Sequence, residues 1–221
     1  MPRVNHLALA FGVRPACRRF RGLHFTRRHA AFTLLELLIS VTLLLILFVL
    51  FHGSGARGYQ QQQKKACQKN LLKLHIALQI FANDHEGLFP VLSGAQTSEE
   101  PLALLVPRYT VDSSSFICPG SKDAPIASGQ PLAGRKISYA YFMGRKLADA
   151  QDVLLTDRQI DTRPKNLSQD VFSTTGKPPG NNHHKYGGNY LFADGHLEMG
   201  SATAPFPLVW TENVVLLNPK P

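Results

Sequence analysis

Three sets of side chains in this sequence have the types and spacing for chemistry. The first is a single carboxylate, Glu36, inside the apolar run AFTLLELLISVTLLLILFVLF from Ala31 to Phe51. A charge placed in lipid costs on the order of 3 kcal/mol or more, so Glu36 calls for a cation to neutralise it. The second set is the pair Cys67 and Cys118. In an oxidising compartment the pair is a candidate disulfide; the alternative is two buried free thiols. The third lies near the C-terminus, where Asp157 and Asp194 each end an apolar stretch and His184 and His196 flank the second. Two carboxylates on neighbouring strands, with carbonyls from the Gly188-Asn189 region, would suit Ca²⁺, and adding His184 and His196 would instead suggest Zn²⁺. Neither set has a diagnostic ligand spacing. The plainer reading makes Asp194-Gly195 a hairpin turn to which His184 and His196 tie a loop.

Elements must hold these groups in place. As a helix of about twenty residues, the Ala31–Phe51 run is roughly 30 Å long, the thickness of a bilayer's hydrocarbon core. A secretory h-region is shorter and would not carry a carboxylate. The net charge of +9 is concentrated ahead of this run: Arg3, Arg14, Arg18, Arg19, Arg21, Arg27 and Arg28 give residues 1–31 a charge of +7 with no acids. Only +2 is left for the rest, so the basicity is a topology signal and no nucleic-acid partner is expected. Cys17 lies in this leader, which leaves Cys67 and Cys118 in the remainder.

Residues 53–58 hold Gly53, Gly55 and Gly58 and read as a joint, the alternative being a helix that runs through them. From Tyr59 to Asp84 a helical period follows, with Cys67, Leu71, Leu74, Leu78 and Phe81 on one face, and Gly87 and Pro90 close it. Residues 91–136 are loop-rich, with a short helix or turn at 102–109. Lys136–Gly144 and Val153–Asp157 read as strands, Thr162–Gly188 as a surface loop, and Asn189–Gly200 as two strands about a type I′ turn at Asp194-Gly195. Edge strands are expected near 208–210 and 214–217. The resulting class is α+β: a long N-terminal helix, half in the membrane, packed on a small antiparallel sheet. No internal repeat, Walker loop, GxSxG or zinc-finger spacing is present.

An arginine-rich leader, a small residue, then FTLLELL and an unbroken apolar run resemble the prepilin-type signal shared by type IV pilins and the pseudopilins of type II secretion. The resemblance implies that a prepilin peptidase cuts between Ala31 and Phe32, that the new terminus is methylated, and that Glu36 matches the family's assembly glutamate. Ala31 departs from the glycine usual before the cut. Nine residues separate His184 from Asp194-Gly195, which resembles the H-x9-DG element at the C-terminus of many prepilin-type proteins.

The organisation implied is a leader at 1–31, a transmembrane and assembly helix at 32–52, a joint at 53–58 and a pilin-like domain at 59–221. The implied protein is a single-pass subunit of the inner membrane, with its N-terminus cytoplasmic and its domain periplasmic. It would build a pseudopilus or pilus-like fibre, with type II protein secretion the expected setting and no enzymatic activity. Its partners would be the peptidase, copies of itself, other pseudopilins and an inner-membrane assembly platform. Some pseudopilins bind Ca²⁺ in a C-terminal loop, which is the cofactor the resemblance admits. The alternatives are a single-span anchored binding protein and a metal-dependent hydrolase built on the Asp157, Asp194, His184 and His196 set.

Overall fold

The computed structural model describes residues 33–53 and 55–221, so the leader, Ala31 and Phe32 lie outside the described residues. The chain divides into two units, one ending at Phe48 and one running from Val49 to Pro221.

The first helix, α1 (Leu34–Gly53), starts at a threonine that acts as its cap. Thr33 accepts the Glu36 N–H on its Oγ1 (3.2 Å) and the Leu37 N–H on its carbonyl (3.1 Å), which satisfies donors that a helix start leaves open. Ser40 and Thr42 turn their hydroxyls back onto the carbonyls of Glu36 and Leu38, at 2.7 Å each. Leu34–Phe51 is long and apolar enough to cross a membrane, and none of it is buried against other parts of the chain.

The second helix, α2 (Gly55–Asp84), begins earlier than the sequence suggests. Residues 55–58, expected as a joint, are helical: a glycine costs only about 1 kcal/mol, which a 30-residue helix absorbs. At the far end the Gly87 N–H folds back onto the Ala82 carbonyl at 2.8 Å. The expected stripe is the buried face, with Cys67, Leu71, Leu74 and Leu78 fully enclosed and Phe81 nearly so. Each leucine contributes about 2 kcal/mol by leaving water.

The partner of that stripe is a five-stranded sheet of order β4-β3-β2-β1-β5. Its strands are β1 (Tyr139–Met143), β2 (Val153–Asp157), β3 (Gly188–Phe192), β4 (Leu197–Gly200) and β5 (Val215–Leu217), and every pairing is antiparallel. Period-two alternation sends Tyr139, Tyr141, Leu155 and Leu191 into one core with α2. Ala140, Phe142, Tyr190 and Leu216 enter a second core on the opposite face. That face is covered by irregular chain, in which Val171, Phe172, Ala204 and Leu208 are buried. The 162–188 segment, expected as a surface loop, is therefore partly an inner layer. Near 102–109 there is a single turn of helix, α3 (Glu99–Leu102), followed by a 3₁₀ turn. The expected strand at 208–210 reduces to one bridge, Leu208 with Lys165, whereas 215–217 does form the edge strand β5.

The β3–β4 hairpin corrects one expectation. A type I′ turn needs positive φ at both Asp194 and Gly195, but of the two only Gly195 has it (φ 93°). Gly195 N–H bonds the Phe192 carbonyl (3.0 Å) and Phe192 N–H bonds the His196 carbonyl (2.9 Å), which gives a three-residue loop with a glycine bulge. A Cβ on Gly195 would come within 2.7 Å of His75, whose Nε2–H donates to the Ala193 carbonyl at 3.0 Å. The turn is thereby fastened to α2.

Replacing Leu74 by alanine should lower the unfolding free energy of the detergent-solubilised chain by about 3 kcal/mol, because a closed site cannot collapse around the loss. Leu72→Ala, at a 44% exposed position, should change it by about 0.5 kcal/mol or less. Equal losses in urea titrations would contradict this docking of α2.

Candidate functional site

Two places in the chain hold chemistry, and they are built differently. On α1 the Ser40 and Thr42 hydroxyls are satisfied by the helix's own carbonyls, whereas Glu36 places a carboxylate within the apolar run. Among the described residues no cation pairs with its carboxylate.

The second place is in the interior, where sequence reasoning found only parts of it. Because Asp157 follows Leu155 by two, it points to the α2 side of the sheet, beneath Cys67. Asn70, one turn after Cys67, donates from Nδ2 to the Ile117 carbonyl (2.9 Å) and so draws the neighbouring Cys118 onto the helix. The chain returning to β3 then brings His183 in from the side. One ligand atom from each of Cys67, Cys118, Asp157 and His183 lies within 4.8 Å of all the others, and all four residues are buried.

The contacts are close. Cys67 Sγ lies 3.2 Å from Asp157 Oδ1 and 3.2 Å from the Tyr139 hydroxyl. His183 Nε2 lies 3.3 Å from Asp157 Oδ2 and 3.4 Å from Cys118 Sγ. Asn182 Nδ2 donates to Asp157 Oδ1 (2.9 Å), and Asn189 donates to Oδ2 from both its backbone N–H (2.8 Å) and its Nδ2 (3.0 Å). Gly120 N–H points at Cys118 Sγ (3.4 Å). Only a glycine fits there, since a Cβ would stand 2.6 Å from His183 Nδ1 and from the Asn182 carbonyl. That Nδ1 is buried and has no partner among the described residues.

The electrostatics follow from this packing. Burial would push the Asp157 carboxyl up, but His183 and the donors from Asn182 and Cys67 hold it down at about 2. Burial also opposes a charged His183 ring, and Asp157 outweighs it, raising the ring to about 10. Burial drives the Cys67 thiol well above its ordinary value. For Cys118 burial is outweighed by contacts with Cys67 and His183, and the thiol is lowered.

Several expected groupings are redrawn. The Cys67–Cys118 pair is brought together, here as two buried free thiols. Asp157 and Asp194 are not: β2 and β3 run antiparallel with Thr156 opposite Tyr190 and Val153 opposite Phe192, so the carboxylates sit at opposite ends of the strands. Asp194 is exposed and caps its own turn by accepting the His196 N–H at 2.8 Å. His196 stays on the surface, 3.3 Å from Glu198, and His184 is exposed with a left-handed φ of 56°. The buried histidine is its neighbour, His183. A Ca²⁺ or Zn²⁺ site made from Asp157, Asp194, His184 and His196 is therefore not formed, and neither is the hydrolase site built on it.

Comparison with known families matches residues 26–51 to the prokaryotic N-terminal methylation motif. The matched stretch contains Ala31, Phe32 and Glu36, and ends where the apolar run ends; it supports a type IV pilin-like signal and does not extend to the H-x9-DG element. No curated protein and no solved structure matches the chain.

Removing the Asp157 carboxylate leaves donors from Cys67, Asn182, Asn189 and His183 facing nothing. Asp157→Ala should cost about 3–5 kcal/mol in unfolding free energy, as expected when one partner of a buried ion pair is lost. A loss under about 1 kcal/mol by chemical denaturation would contradict the arrangement.

Proposed function

We propose that this chain is a structural subunit of a type IV pilus-like fibre, of the pseudopilus kind that serves type II protein secretion, and not an enzyme. The observation that carries the reading is the methylation motif at 26–51 with a single carboxylate, Glu36, within the apolar run of α1. In this reading the arginine leader stays in the cytoplasm, α1 spans the inner membrane, and the domain from α2 onward stands on the far side. A prepilin peptidase removes residues up to Ala31, and Phe32 becomes a methylated N-terminus.

The chemistry of assembly then follows from charge. A free α-amine at Phe32 and the carboxylate of Glu36 are both costly in lipid, and neither can be matched by the leucines around it. When one subunit's amine meets its neighbour's Glu36, the two charges neutralise each other. The unmatched charge of a lone subunit thus becomes a drive to polymerise. Extension and retraction draw on ATP hydrolysed by a cytoplasmic partner at the assembly platform.

Expression with an active prepilin peptidase should yield a chain beginning at methylated Phe32, read by N-terminal mass spectrometry; an intact leader in that host would contradict the reading. Glu36→Leu should ease insertion by about 2.5 kcal/mol or more while leaving cleavage intact and abolishing fibres. Normal fibre yield from correctly processed Glu36→Leu protein would contradict the role given to Glu36 in assembly.

A further inference from the structure

We propose that Cys67, Cys118, Asp157 and His183 form a structural Zn²⁺ site. Tetrahedral zinc with bonds of about 2.0–2.3 Å holds its ligand atoms about 3.3–3.8 Å from one another. Contacts in this cluster are near that spacing: 3.2 Å from Cys67 Sγ to Asp157 Oδ1, 3.3 Å from His183 Nε2 to the other carboxylate oxygen, Oδ2, and 3.4 Å from His183 Nε2 to Cys118 Sγ. One ligand atom from each of the four residues lies within 4.8 Å of all the others, so the side chains need only draw in around a central ion. The donor set selects the metal. Two sulfurs, an imidazole nitrogen and one carboxylate oxygen suit Zn²⁺, whereas Ca²⁺ would need six to eight oxygens.

The surroundings are those of ligands held by a second set of donors. Gly120 presents its N–H to Cys118 Sγ, Asn182 and Asn189 donate to the Asp157 carboxylate, and the Tyr139 hydroxyl, which accepts from the Cys67 thiol, is placed to donate to the thiolate once that proton leaves. Such groups orient ligands and stabilise their anionic forms. On binding, Cys67 and Cys118 each release a proton to solvent, and the His183 ring, charged beside Asp157 in the metal-free site, also releases its Nε2 proton so that this atom can ligate. Two thiolates, a carboxylate and Zn²⁺ leave one negative charge, and Lys64, buried one turn before Cys67 on α2, supplies a nearby positive one.

All four ligands come from the protein and all are buried, so the site is closed and has no open coordination position for substrate. Its effect is mechanical. The ion fastens α2, the segment after the 3₁₀ turn Ser113–Phe116, the end of β2 and the loop before β3 at one point. In a subunit that transmits force along α2, that point resists peeling of the helix from the sheet.

The test uses the full chain, purified in detergent from zinc-supplemented cells without chelator. Elemental analysis should find about one zinc per chain, and intact mass should show both thiols reduced beneath it. Cys118→Ser should lose the metal, and its folding is checked by circular dichroism. Should that variant misfold, the wild-type chain decides alone: reduced, stripped of metal and given Co²⁺, it should show the d–d absorption of a tetrahedral site with a sulfur-to-cobalt charge-transfer band. Absence of zinc together with absence of that spectrum overturns the proposal. So does a mass lower by two hydrogens, which would mean that Cys67 and Cys118 form a disulfide.

Discussion

A charge taken out of water must meet an opposite charge or a set of donors, and Asp157 and Glu36 answer that constraint in different ways. Asp157 meets it within its own fold. Two asparagines, a cysteine and a histidine converge on it: Cys67 from α2, Asn182 and His183 from the loop before β3, and Asn189 from β3 itself. Much of the domain's path serves this one group: α2 is laid so that Cys67 lies over β2, and the long connection before β3 dips inward to deliver Asn182 and His183. Glu36 has no such provision among the described residues. In our proposal its match comes from another molecule, and the same electrostatic rule that closes the domain opens the helix to assembly.

The division between legible and illegible parts of the sequence follows the range of the interactions involved. The α2 stripe, β2 and the two strands flanking Asp194-Gly195 rest on local periodicity, and the structure contains them. The antiparallel sheet and α+β class follow from those elements. Turn geometry was harder: Asp-Gly suggested a type I′ turn, but the three-residue loop is decided by how His75 of α2 bonds the Ala193 carbonyl, a contact between distant segments. The glycines at 55 and 58 suggested a joint, and the helix runs through them because propensity is a weak term over 30 residues.

The candidate site shows the same limit more sharply. Cys67, Cys118 and Asp157 were each identifiable by residue type, yet not as one group, since they and His183 are spread from residue 67 to residue 183 with no metal-ligand spacing. His184 drew attention through its distance from Asp194, while the buried ring is His183, one position earlier. Only strand parity could have helped: Asp157 shares the inward side of β2 with Leu155, as Cys67 shares the buried face of α2 with Leu71 and Leu74. Which loop histidine closes the cluster depends on the left-handed turn at His184, and that is a property of the folded loop.

The central claim is that the Phe32 amine of one subunit neutralises Glu36 of the next. Its most direct measurement is zero-length carbodiimide coupling in assembled fibres grown from mixed light- and heavy-isotope subunits, followed by peptide mass spectrometry. The account predicts an amide between Phe32 and Glu36 in peptides that combine light and heavy chains. Fibres in which that amide is missing, or joins only residues of the same chain, would contradict it.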